Sequence, residues 1–70
     1  MTYLGIVEIG DSVFYLQRDE QFMYAGTVCN AGFIELYKEE IDNVLSIDEN
    51  LAYFIEVITE REIKKGVSND

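Results

Sequence analysis

The last third of the chain reads as one helix with a marked start and a marked finish. Ser46 followed three residues later by Glu49 is a capping box, in which hydroxyl and carboxylate each satisfy a backbone N–H left unpaired by the first turn. Asp48 and Glu49 sit at the positive end of the helix dipole and Lys64 and Lys65 near the negative end. Gly66 suits the left-handed conformation that commonly stops a helix. Between these signals Ile47, Leu51, Phe54, Ile55 and Ile58 recur at i, i+4, i+7, i+8 and i+11, a single apolar face. That face must be buried, and the rest of the chain has to cover it.

The cover is a sheet. Residues 3–9, 12–17 and 21–28 are rich in β-branched and aromatic side chains. Gly10 and Asp11 separate the first two runs, a hairpin signal because glycine takes a positive φ without a Cβ clash. Arg18, Asp19 and Glu20 form the next turn. In the third run Phe22, Tyr24 and Val28 share one face, and Met23, Ala25 and Thr27 the other. Asn30, Ala31 and Gly32 break the pattern, so three antiparallel strands in a meander are predicted.

Residues 33–45 read two ways. As a helix capped by Asn30, they place Phe33, Leu36, Tyr37, Ile41, Val44 and Leu45 on one stripe, with Glu35, Lys38, Glu39 and Asp42 opposite. As a strand, residues 33–37 put Ile34 and Leu36 inside. The helical period spans the longer stretch. The expected fold is therefore α+β, a three-stranded antiparallel sheet with one or two helices packed on one face, in the order β-β-β-α-α. The order β-β-β-β-α is the alternative.

Seventy residues make a single small domain, with residues 66–70 expected to fray. A domain of this size buries only about 60% of its unfolded surface, so it depends on a good core. Hydrophobic residues make up 49% of the chain and nine are Phe or Tyr, which excludes a disordered chain. Cys29 is the one cysteine, so neither an intrachain disulfide nor a cysteine zinc site is available, and it reads as a small buried apolar side chain. No segment approaches about 18 consecutive apolar residues, and no basic stretch precedes an apolar run at the start. The cytoplasm is the expected compartment.

The chain lacks the usual equipment of an enzyme. It has no histidine, hence neither the commonest general base nor the commonest zinc ligand. No glycine-rich phosphate loop occurs. Glu39 with Glu40, and Asp48 with Glu49, are adjacent carboxylates, but neighbours at i and i+1 on a helix diverge. The acidic segment from Asp42 fails the calcium-loop spacing, with Val44 at the third position and Ile47 where the turn glycine belongs. No catalytic residue, metal site or cofactor is expected.

Charge is the one feature that points beyond the fold. Fourteen acidic residues against five basic ones give a formal charge of −9. Glu39, Glu40, Asp42, Asp48, Glu49, Glu56 and Glu60 fall in one stretch without a Lys or Arg. Such a field repels nucleic acid and anionic membrane and attracts a basic surface. One reading is a solvated, solubilising face. The other is a docking face for a basic protein partner, one that itself handles nucleic acid. Duplex DNA carries about one charge per 1.7 Å of axis, and carboxylates four residues apart on a helix rise about 6 Å, so a helix plus a loop reaches a comparable density. Phage and mobile elements often encode proteins of this size and charge, which suggests an anti-defence inhibitor of the DNA-mimic kind. The alternative is a self-associating accessory or regulatory subunit. Its surface would be Tyr53, Val57 and Ile63, which lie off the main helical stripe and otherwise widen the core face.

Overall fold

The computed structural model describes residues 1–66. Four strands, β1 (Thr2–Ile9), β2 (Ser12–Arg18), β3 (Phe22–Cys29) and β4 (Gly32–Glu40), precede one helix, α1 (Ile47–Gly66). The sheet is an antiparallel meander in the order β1-β2-β3-β4, and α1 packs across one face of it. The fold is α+β with the order β-β-β-β-α. The Cα atoms span 39 × 31 × 15 Å, the thin dimension being one sheet and one helix layer. The helix runs through Gly66, and the rest of the tail expected to fray, residues 67–70, lies outside the described residues.

The first hairpin forms where glycine permits it. Ile9 pairs with Ser12 around Gly10 and Asp11, and Gly10 has φ 62°. Asp11 keeps a negative φ, so glycine occupies the first central position, the requirement of a type II′ turn. The second turn is built by a side chain. The Asp19 carboxylate accepts the N–H groups of Gln21 and Phe22, both at 2.8 Å, and the Tyr24 hydroxyl donates to it at 2.7 Å.

Residues 33–40 are strand, not the helix expected for 33–45. Asn30 is no helix cap; with Ala31 it turns a hairpin in which Cys29 pairs with Gly32. A bulge interrupts the strand. Ala25 pairs with Tyr37 but Gly26 pairs with Glu35, leaving Leu36 as the extra residue. The bulge shifts the alternation, so Phe33, paired with Val28, faces away from the helix while Tyr37, paired with Ala25, faces toward it. It also defeats the simple strand reading. Ile34 and Leu36, expected inside, are 45% and 51% exposed, while Tyr37 is buried. Gly26 explains why the irregularity sits here: a Cβ at that position would lie 1.9 Å from the Ile34 carbonyl oxygen.

The core lies between sheet and helix. Phe14 and Leu16 from β2, Met23 and Ala25 from β3, and Tyr37 from β4 meet Phe54 and Ile58 of α1. Ile47, Leu51 and Ile55 pack half-buried around them, so the helical stripe read from the sequence is the buried one. Phe14 and Tyr37 meet edge to face, with centroids 5.7 Å apart. The capping box forms as drawn: Glu49 N–H donates to Ser46 Oγ at 3.1 Å, and Ser46 N–H to Glu49 Oε1 at 3.0 Å.

Candidate functional site

The seven acidic residues lie on three elements. Glu39 and Glu40 end β4 and point to opposite sides, because Glu39 pairs with the core residue Met23 and Glu40 with Phe22. Asp42 lies in the connection 41–46, where its carboxylate accepts the Val44 N–H at 2.9 Å. Asp48 and Glu49 occupy the first turn of α1, and Glu49 is engaged in the capping box. Glu56 and Glu60 are exposed one helical turn apart. Two groupings result. Glu39, Glu40, Asp42, Asp48 and Glu49 collect where β4 passes into α1. Glu49, Glu56 and Glu60 form a stripe with Tyr53 at spacings of four, three and four residues, on the side of α1 away from Phe54 and Ile58.

A buried asparagine holds the acidic end together. Asn50 is 7% exposed. Its Oδ1 accepts the Asp42 N–H at 2.8 Å, and its Nδ2 donates to the carbonyls of Asp42 and Ser46, both at 2.9 Å. A primary amide suits this place because one side chain offers both acceptor and donors. The sequence reading passed over Asn50, although a polar residue between Ile47 and Leu51 on an apolar stripe was the signal.

The apolar helix candidates do not form one patch. Tyr53 and Ile63 are 58% and 60% exposed, while Val57 is half-buried. Glu56 and Glu60 stand between Tyr53 and Ile63 in sequence and on the same exposed side of the helix. A second apolar area is on the other layer. One helix covers one face of the sheet, and the opposite face carries Ile6, Val13, Tyr15, Phe22, Tyr24 and Phe33. Ile6 pairs with Tyr15 and Tyr15 with Gly26, over which a Cβ would meet the Phe33 ring at 3.0 Å. The Lys38 ammonium lies 4.2 Å from the Phe22 ring centroid and 5.8 Å from that of Tyr24. The signal for this face was also in the sequence. β1 to β3 alternate apolar with apolar, as strands with demands on both faces do.

Titration behaviour is shaped in two places outside the acidic stripe. The Tyr24 hydroxyl, then the Phe22 and Gln21 N–H groups, hold the Asp19 carboxyl below its ordinary value. The same bond pushes the Tyr24 hydroxyl up to about 12. At the far end of α1, Tyr37 donates to Glu62, and Lys65 pairs with Glu62 at 3.2 Å. These contacts, the tyrosine hydroxyl first, lower the Glu62 carboxyl. Glu62 also borders a hollow of about 270 Å³ shared with Ile9, Gly10, Asp11, Ser12 and Ile63. Among the described residues, no group of three or more Cys, Asp or Glu side chains could hold a metal ion, and no helix is long and apolar enough to cross a membrane. Cys29 is exposed at the tip of the β3–β4 hairpin rather than buried.

No protein-family profile, curated protein or solved structure matches the chain.

Proposed function

We propose that this chain is a non-enzymatic protein-binding module, an acidic inhibitor that docks on a basic surface of a nucleic-acid-handling protein. The observation that carries the reading is the stripe Glu49, Glu56 and Glu60 on the solvent side of α1, continued by Glu39, Glu40, Asp42 and Asp48 at the helix start. It belongs to a segment without a Lys or Arg, and it rides on a helix anchored by Phe54 and Ile58. Fixed carboxylates on a packed helix present charge to a basic groove with little ordering cost on binding. The non-enzymatic reading draws on the engagement of Glu62, which borders the hollow beside the first hairpin, with Tyr37 and Lys65.

The test is a pull-down from the source cell followed by competition titration. Association should slow steeply as salt rises, because the Debye length falls from about 30 Å at 0.01 M to about 8 Å at 0.15 M. Replacing Glu56 and Glu60 by Gln should weaken binding and leave the fold intact, since exposed charges contribute little to stability. The partner should lose affinity for its nucleic acid when the wild-type chain is added. Equal binding by wild type and the double variant, unaffected by salt, would leave the stripe as a solvated face and end the proposal. Self-association through Tyr53, Val57 and Ile63 has weaker support, because the acidic stripe separates Tyr53 from Ile63.

A further inference from the structure

We infer that the uncovered face of the sheet is the interface of a homodimer, two copies stacking sheet to sheet with their helices outermost. This goes beyond the acidic docking surface, whose stripe Glu49, Glu56 and Glu60 lies on the other layer and whose Glu40 reaches the rim of this face.

The arrangement of side chains is that of an interface. On this face the central strands β2 and β3 present Val13, Tyr15, Phe22 and Tyr24, with Gln17 and Gly26 between them; no residue of these two strands is charged here, and the Lys38 ammonium reaches in from β4 over the Phe22 and Tyr24 rings. The charges stand on the two edge strands, Glu8 on β1 and Glu35, Lys38 and Glu40 on β4. An apolar centre depleted of charge and enriched in aromatic residues, inside a charged rim, is the anatomy of a protein–protein contact. Ile6 and Val13 are still 54% and 41% exposed, so the single chain leaves this centre open to water.

A second copy fits the dimensions. A face four strands wide, at about 4.8 Å per strand and about seven residues of about 3.4 Å each, covers about 450 Å² in plane. Two such faces hide about 900 Å² before side-chain relief is counted, close to the ~1,000 Å² that a specific interface needs. Of the charge of −9 per chain, the rim of this face carries Glu8, Glu35 and Glu40 against Lys38, and the acidic stripe lies on the outer layer. With layers about 10 Å apart, the two helix layers are about 30 Å from each other, several Debye lengths at 0.15 M salt.

Sedimentation equilibrium of the full chain, from micromolar to submillimolar concentration, tests the pairing. The wild type should give a species of twice 8.1 kDa. Ile6→Glu and Val13→Glu, at positions where an isolated chain tolerates a charge, should raise the dimer dissociation constant on the order of 100-fold, because a two-fold interface feels each change twice. Their circular dichroism should match the wild type. Tyr53→Glu, on the helix layer, should leave the dimer unchanged. Isotope-filtered NOEs in a mixture of labelled and unlabelled wild type should connect Tyr15 or Ile6 of one copy to the other, a readout independent of any variant. A wild type that stays monomeric throughout overturns the inference. So does a dimer that survives both sheet substitutions, or one broken by Tyr53→Glu.

Discussion

Asn50→Ala should destabilise the domain more than its place in the first turns of a helix suggests. The side chain makes three well-formed hydrogen bonds, to the Asp42 N–H and to the carbonyls of Asp42 and Ser46. At about 1 kcal/mol net for each bond the loss is about 3 kcal/mol. Alanine's better helix propensity returns about 0.5 kcal/mol, leaving about 2.5 kcal/mol. A chain of 70 residues has a total stability of about 3.5–10 kcal/mol at the usual per-residue values. A melting temperature lowered by about 10–20 °C follows from about 4–8 °C per kcal/mol in a domain this small. Thermal unfolding followed by circular dichroism reads the global effect, and hydrogen exchange at the Asp42 amide reads the local one. Asn50→Asp sharpens the test. It keeps the shape and the acceptor for Asp42 but turns a carboxylate oxygen toward two carbonyls, so its folded pKa is raised. Its deficit relative to wild type should therefore be small below the ordinary carboxyl pKa of about 4 and grow as pH rises above it. A melting temperature for Asn50→Ala within about 3 °C of wild type, with Asp42 exchange unchanged, would refute the account of Asn50 as the tie between connection and helix.

Three further outcomes are expected. Phe54→Ala removes one of the largest fully buried side chains and should cost about 3–5 kcal/mol, unfolding much of the population in urea titrations where wild type stays folded. Gly26→Ala should destabilise by about 1–3 kcal/mol or more, because the new methyl meets backbone at Ile34 rather than a side chain that can swing away; a variant as stable as wild type would contradict the packing at the bulge. The Asp19–Tyr24 bond should appear in the pH dependence of both groups. Asp19, depressed in the folded state, contributes stability present above its ordinary value of 3.8 and lost as pH falls through its lower folded value. Tyr24, raised, contributes stability present below 10.0 and lost as pH climbs toward about 12. In an NMR titration Asp19→Asn should bring the Tyr24 midpoint down toward 10.0, and an unmoved midpoint would remove Asp19 as the cause.

Where a single residue type met a single geometric demand, the sequence was readable. Gly10 marked the first hairpin because its turn needs a positive φ at one position. Ser46 and Glu49 marked the helix start because that spacing satisfies two specific N–H groups. The grouping of β3 into two faces followed from alternation alone, and the helix decides that Met23 and Ala25 are inside and Phe22 and Tyr24 outside. Reading failed where tertiary structure changed the count. The bulge at Leu36 adds one residue to β4 and moves Phe33 and Tyr37 to opposite faces, so residues 33–37 do not follow a simple strand alternation. The cause of the bulge, close approach of the Ile34 carbonyl to Gly26, is a contact between strands and leaves no local periodic trace. Ile41 extended the false helix because it is buried, yet it is buried as a continuation of β4, its N–H donating to the Gln21 carbonyl at 2.8 Å. The acidic residues were easy to list, but their grouping depended on knowing that residues 41–46 are a connection. Only then do Glu39 and Glu40 belong to a sheet end and Glu49, Glu56 and Glu60 to one stripe.

The replacement of a second helix by a fourth strand also changes what the chain has to offer. With two helices, the β-β-β-α-α arrangement would have spent its apolar surface on one packed interior, and Tyr53, Val57 and Ile63 would have been the natural leftovers. With one helix, the sheet gains a strand and α1 has only one face to cover. Phe22, Tyr24 and Phe33, half-buried on the face away from α1, then become the leftover. The acidic stripe and the aromatic face consequently lie on different layers, the stripe on the outside of α1 and the aromatic residues on the far side of the sheet with Glu8, Glu35 and Glu40 at their rim. That separation makes the two proposed contacts independent in their physics. Binding through the helix should weaken with salt, because exposed charges are screened. Pairing through the sheet should persist or tighten under the same conditions, because added salt screens the residual repulsion between two acidic chains and leaves apolar burial in place. A salt series on one sample, reading partner binding and self-association together, should therefore move the two in opposite directions. Parallel loss of both would mean that they share a surface, which this layering does not allow.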